Sequence, residues 1–145
     1  MFEFEQSVLI NRPPGDVFAF VLDPSNDPLW QTSVAESRQV TTGPVGVGTR
    51  FTEVRHFLGR RMETTVEVTE HEDDRRSAVK VVSGPVPGTG SYSVEPAEGG
   101  TRFTYTLQAD PSGFFKLAEP VLVRMMRREL STNCEHLKDV LEGGA

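Results

Sequence analysis

The chain has 145 residues, a hydrophobic content of 37% and a formal net charge of -6, with a mean hydropathy of -0.34. That size suits one domain, which can bury roughly two thirds of its unfolded surface without staples. The acidic balance argues against a general nucleic-acid binder, and the single cysteine, Cys134, excludes an intramolecular disulfide.

The opening MFEFEQSV is acidic and alternating. It has neither the basic nor the apolar region of a secretory signal. With one cysteine this points to a reducing, cytoplasmic setting. No apolar run approaches the roughly 18 residues of a membrane span, so no stable membrane insertion is expected.

Phe2 to Asn11 alternates with period two: Phe4, Val8 and Ile10 on one face, Glu3, Glu5 and Ser7 on the other. This predicts a half-buried strand. Asn11-Arg12-Pro13-Pro14 ends it, and proline favours a first helical turn. Asp16 to Leu22 reads as a short helix broken by Asp23-Pro24. A second short helical piece runs from Ser25 to about Gln31, carries Leu29 and Trp30, and can be capped by Asp23 or Ser25.

Val34 to Thr42 reads as a strand, and Gly43 to Gly48 as turns. Thr49 to Leu58 and Arg61 to His71 form a hairpin with Gly59-Arg60 as its two-residue turn. That register pairs Phe57 with Met62, Arg55 with Thr64, Glu53 with Val66 and His56 with Glu63. It places Phe51, Glu53, Arg55, Phe57, Met62, Val66 and Val68 on the covered face. Further strands follow at Ser77 to Ser83, Gly90 to Pro96 and Thr101 to Ala109. Val79, Val81, Tyr92, Val94, Phe103, Tyr105 and Leu107 point inward.

Ser112 to Glu142 is the long helical signal, with Gly143 and Gly144 as its stop. Phe114, Leu117, Ala118, Val121, Leu122, Met125, Leu130, Cys134, Leu137 and Leu141 form one apolar stripe at three-and-four spacing. Arg124, Arg127 and Arg128, partly offset by Glu129, form a solvated face. From Glu119 the helix runs about 24 residues, roughly 36 Å. The fold class is therefore α+β: a curved antiparallel sheet of about seven strands around a long terminal helix. A straight helix cannot fill the concave side of a twisted sheet, so a mostly apolar cavity is expected between them.

At this point the motifs resemble a family. The NRPP–VF–DP–W opening, GVGTRF (Gly46 to Phe51), FLGR (Phe57 to Arg60), EVTEHE (Glu67 to Glu72), GGTRFTYT (Gly99 to Thr106) and LAEPVLVRMMRREL are similar to the START-like, helix-grip superfamily. The branch is that of polyketide cyclases/dehydrases and lipid-transport-like proteins. The resemblance covers nearly the whole chain. It implies a β-α-α-β6-α order, a hydrophobic cavity and a polyketide-like or lipid-like ligand, and it carries over no catalytic residue.

Trp30, Phe51, Glu53, Arg55, Phe57, Met62, Tyr92, Phe103, Tyr105, Leu122 and Met125 are the candidate ligand-binding residues. Glu53 and Arg55 are a ligand-facing pair, a self-neutralising one, or two residues on a solvated edge. In the first case Arg55 binds a carboxylate, phenolate or carbonyl oxygen and Glu53, with a raised pKa, acts as general base. On that reading Arg55→Ala weakens binding and leaves folding nearly intact. Tyr105 joins them as a candidate acid–base group. His56, His71 and His136 show no three-ligand spacing, so no metal is expected, nor is a cofactor. The expected partner is a small hydrophobic molecule rather than nucleic acid, with a homodimer left open. Three roles fit: a carrier or binder of such a molecule, a cyclase/dehydratase-type enzyme, or an interaction module with a vestigial cavity.

Overall fold

The computed structural model describes residues 2–57, 59–110 and 116–143. In chain order the elements are β1 (Phe2–Ile10), α1 (Pro14–Leu22), a 3-10 turn (Pro24–Asn26), α2 (Asp27–Trp30), β2 (Val34–Gln39), β3 (Arg50–Phe57), β4 (Arg60–Glu72), β5 (Arg76–Ser83), β6 (Gly88–Ala97), β7 (Gly100–Ala109) and α3 (Glu119–Gly143). The β-α-α-β6-α order is the one that the motifs imply. The seven strands form one antiparallel sheet in the order β1-β7-β6-β5-β4-β3-β2.

Alternation produces these strands directly. In β7, Phe103 and Tyr105 are buried while Arg102 is exposed. In β1, Phe4 and Ile10 are buried between exposed glutamates and Leu9. The β3–β4 hairpin differs from expectation by two residues. Phe57 pairs with Arg60, Arg55 with Met62, Glu53 with Thr64 and Phe51 with Val66. The turn sits one step earlier, so that Gly59, at φ 73°, takes its second position, which a left-handed backbone favours. His56 accordingly faces Arg61 rather than Glu63. A slip of two leaves every side chain on its expected face.

Asp23 Oδ1 accepts from the backbone N–H of Ser25 at 3.0 Å and from its hydroxyl at 2.7 Å, so Asp23 rather than Ser25 caps the second helical piece. Trp30 is fully buried and packs against Tyr92, Phe103 and Tyr105 at 5.7, 5.9 and 6.1 Å between ring centroids. It is the plug that seats α2 on the sheet. Leu29, beside it, is exposed.

The buried residues of α3 are Leu122, Met126, Leu130, Asn133, Cys134 and Leu137. The stripe is therefore rotated from the expected one at its start. Leu117 is 88% and Val121 52% exposed, and Met126 rather than Met125 is the buried methionine. Phe114 lies outside the described residues. The far end of α3 is latched to β1. Arg12 Nε donates to the Leu141 carbonyl at 2.7 Å, the Asn11 N–H to Glu142 Oε2 at 2.8 Å, and Lys138 Nζ to the Leu9 carbonyl at 2.7 Å.

Candidate functional site: a cavity with a charged end

The sheet and α3 meet at the latched end and part toward the other. The space left is a cavity of about 170 Å³, open on one side. Its walls are apolar over most of their extent: Phe51, Met62, Val66, Val68, Val79, Val81, Leu107, Leu122, Met126 and Leu130. Gly88 and Gly90 of β6 give it room and Val86-Pro87 edges it. A dry chamber of about 150 Å³ is enough for a single aromatic ring.

Polar groups gather at one end of the lining: Asp27, Ser37, Glu53, Arg55, Thr64, Tyr92, Tyr105 and Glu129. Arg55 is their centre. Its Nε donates to Glu53 Oε2 at 2.9 Å, one terminal nitrogen to Ser33 Oγ at 3.1 Å and the other to Gln31 Oε1 at 2.8 Å. Glu129 Oε2 lies 3.7 Å from the guanidinium and accepts from Ser33 Oγ at 2.8 Å. The side chains of Arg55, Glu53 and Glu129 are only 14–15% exposed, so pairing is what makes their burial tolerable. Burial works against the Arg55 charge, but Glu53 outweighs it and holds the guanidinium ionised. Gln31 Nε2 donates to the Tyr92 hydroxyl at 3.1 Å, extending the network across the chamber. Burial raises both tyrosines, Tyr105 to about 12, so their hydroxyls stay protonated and available as donors.

Asp27 stands apart. It is 6% exposed, it lines the cavity, and its Oδ1 has no hydrogen-bond partner. Desolvation, then the charge of Glu53, pushes its carboxyl up to about 7, against the lowering effects of the Ser37 hydroxyl and Arg55. It is thus the carboxyl of this cluster poised to change charge near neutral pH.

Of the candidates read from the sequence, Phe51, Glu53, Arg55, Met62, Tyr92, Tyr105 and Leu122 line the cavity. Trp30 and Phe103 do not; both are fully buried behind the tyrosines as core. Met125 is replaced by Met126, for the rotation of the stripe just described. The side chain of Phe57 lies outside the described residues. Sequence reasoning missed Asp27, Gln31, Ser33 and Glu129. Glu129 leaves the solvated arginine face on which it was placed and turns inward, whereas Arg124, Arg127 and Arg128 are exposed as expected.

Burial raises the Cys134 thiol to about 12, far from a reactive thiolate. His71 is held by Asp73 at 2.8 Å. Among the described residues no cluster of three or more His, Cys, Asp or Glu is arranged to hold a metal, and no helix is long and apolar enough to cross a membrane.

A curved antiparallel sheet gripping one long helix, with a cavity between them, defines a START-like helix-grip protein. The chain belongs to the polyketide cyclase/dehydrase and lipid transport family, whose sequence profile matches residues 1–142. Curated proteins give no significant sequence match. Solved structures do share the fold. TTHA0849 from Thermus thermophilus superimposes with a TM-score of 0.85 at 20% identity over 99% of both chains. A START superfamily protein from Mycobacterium smegmatis gives 0.74 at 12% identity over 99% of both. The di-domain ARO/CYC BexL from the BE-7585A biosynthetic pathway gives 0.75 at 19% identity, covering 98% of this chain and 47% of that one.

Proposed function

We propose that the protein binds a small hydrophobic or aromatic molecule, polyketide-like or lipid-like, in the cavity between sheet and α3. The observation that carries this reading is the lining itself: an open, largely aliphatic chamber that ends in a cluster of buried polar groups. Pockets that hold small organic ligands have this make-up, apolar walls for affinity and a few polar groups for orientation. Phe51, Met62, Leu122 and Met126 supply contact area, while Tyr92 and Tyr105 present hydroxyls.

Native mass spectrometry of freshly purified protein tests the reading. A small-molecule adduct is expected, and Val79→Trp, which places an indole in the chamber, is expected to lose it. A bare polypeptide mass for the wild type, together with no apolar probe that raises its melting temperature, would overturn it.

A second reading is a cyclase/dehydratase-type enzyme acting on an enolisable substrate. Protonated Tyr105 facing the same chamber as Glu53 and Arg55 favours it, since donor, carboxylate and cation are then within one space. Conversion of a linear poly-β-ketone thioester to a cyclised product, lost in Tyr105→Phe and Glu53→Gln, would select this reading over simple binding.

A further inference from the structure

The polar end of the cavity contains a guanidinium, yet its charge balance is negative. Glu53 at 2.9 Å and Glu129 at 3.7 Å already face Arg55. Three of its nitrogens' hydrogen bonds go to Glu53, Ser33 and Gln31. Asp27 on α2 adds a third carboxyl to this one cation, and the Asp23 charge also bears on it. A ligand carboxylate entering here would meet an arginine whose charge is spent, ringed by groups of its own sign.

Asp27 is a different matter. Its side chain is more than nine-tenths buried, it lines the chamber, and Oδ1 accepts from nothing. A buried acceptor without a donor is costly, and a donor brought by a ligand would remove that cost. Beyond this polar end the walls are mostly aliphatic, so the remainder of such a ligand is apolar.

Resting on the binding role proposed above, we infer that Asp27 Oδ1 is the anchor of the ligand subsite, accepting a hydrogen bond from the hydroxyl of a compact aromatic or aliphatic alcohol or phenol, and that the same end of the cavity rejects carboxylates of equal shape. This assigns the recognising role to Asp27 and makes Arg55 the residue that keeps Glu53 and Glu129 in place. The substrate class is a neutral hydroxylated molecule rather than a fatty or aromatic acid.

Three probes of one shape separate the possibilities: 4-propylphenol, its methyl ether 4-propylanisole, and 4-propylbenzoate, titrated calorimetrically at about pH 8, where Asp27 is largely ionised. The wild type is expected to bind the phenol about tenfold or more tighter than the ether, and the benzoate more weakly than either. Asp27→Leu is expected to bind phenol and ether within about twofold of each other. Asp27→Asn, which keeps a carbonyl oxygen but not the charge, is expected to retain part of the phenol preference and to tolerate the benzoate better. The Asn variant carries the test if the Leu variant fails to fold. Benzoate binding as tight as phenol, or an undiminished phenol preference in both variants, would overturn the anchor and leave the cavity reading standing. Failure of all three probes to bind the wild type would overturn both.

Discussion

Asp27 carries a consequence for stability as well as for recognition. Its carboxyl is raised from 3.8 to about 7 by the fold, so the folded state holds a proton that the unfolded chain releases. Its contribution is fully present below about pH 4 and is lost as pH rises through about 7. At 1.36 kcal/mol per unit the ceiling is ~4 kcal/mol. Asp27→Asn imitates the protonated form and cannot ionise. Urea unfolding is expected to show the variant more stable than wild type by about 1–3 kcal/mol at pH 8, with the difference shrinking below about 1 kcal/mol at pH 4. A constant difference across that range would place the proton elsewhere. Arg55 also reads differently once its partners are known. The sequence suggested that Arg55→Ala would spare folding. With Glu53 and Glu129 both buried against it, its removal strands two carboxylates, and a loss of about 3 kcal/mol is expected, close to that of truncating buried Phe103. Arg55→Lys should restore little, because a single ammonium cannot reach the positions that the three guanidinium nitrogens hold. An unfolding midpoint for Arg55→Ala equal to wild type would mean that the cluster is dispensable.

At the level of elements, the turn that follows α2 is joined to α3 by Asn133, which is buried and accepts through Oδ1 from the Thr32 N–H at 3.0 Å and from its hydroxyl at 3.1 Å. This contact fixes where α2, and with it Asp27 and Gln31, sits over the chamber. Asn133→Ala removes both hydrogen bonds to Thr32 and leaves a gap at a buried position, and is expected to cost about 1–3 kcal/mol. It should also weaken probe binding, a coupled loss that a purely local defect would not give. Gly88 is a comparable constraint on the sheet. A Cβ there would collide with the Gln108 carbonyl oxygen, so Gly88→Ala must push β6 from β7 at the edge of the cavity. Calorimetric melting should register it as an overpacked site, about 1–3 kcal/mol down.

Elements were the most legible level in the sequence. Period two marks β1 and β7 without ambiguity, and both faces came out as expected. The helix was legible in extent but not in phase, because adjacent apolar residues stand at Val121/Leu122 and at Met125/Met126, and the stripe can run through either member of each pair. Packing against the sheet decides. The hairpin register turned on which of two positions Gly59 takes, and only backbone handedness resolves that. The polar end was half legible. Glu53 and Arg55 fall on an inward face by alternation, whereas Glu129 and Asp27 come from other elements and are brought in by tertiary packing. Asp27 did leave a trace, standing three residues before the buried Trp30 and so on the same side of one helical turn.

For the whole molecule, sheet and helix are held together at one end and apart at the other, and the hollow is the difference. Filling that hollow separates its role in binding from its role in stability. Val79→Trp is expected to abolish small-molecule capture while keeping or raising the melting temperature, since cavity filling commonly adds about 0.5–2 kcal/mol. A variant that lost both would show the valine to be part of the supporting core instead.

The latch of Asn11, Arg12 and Leu9 to Leu141, Glu142 and Lys138 joins residues some 130 positions apart. During synthesis all seven strands are made before α3, so a sheet that formed on the nascent chain would present its concave apolar surface as an uncovered trough. A guest with affinity for that trough can arrive before its lid does. Refolding from urea with such a compound present should then speed the slow, long-range closing step, whereas one that enters only through the finished mouth would leave the folding rate untouched and act on unfolding alone.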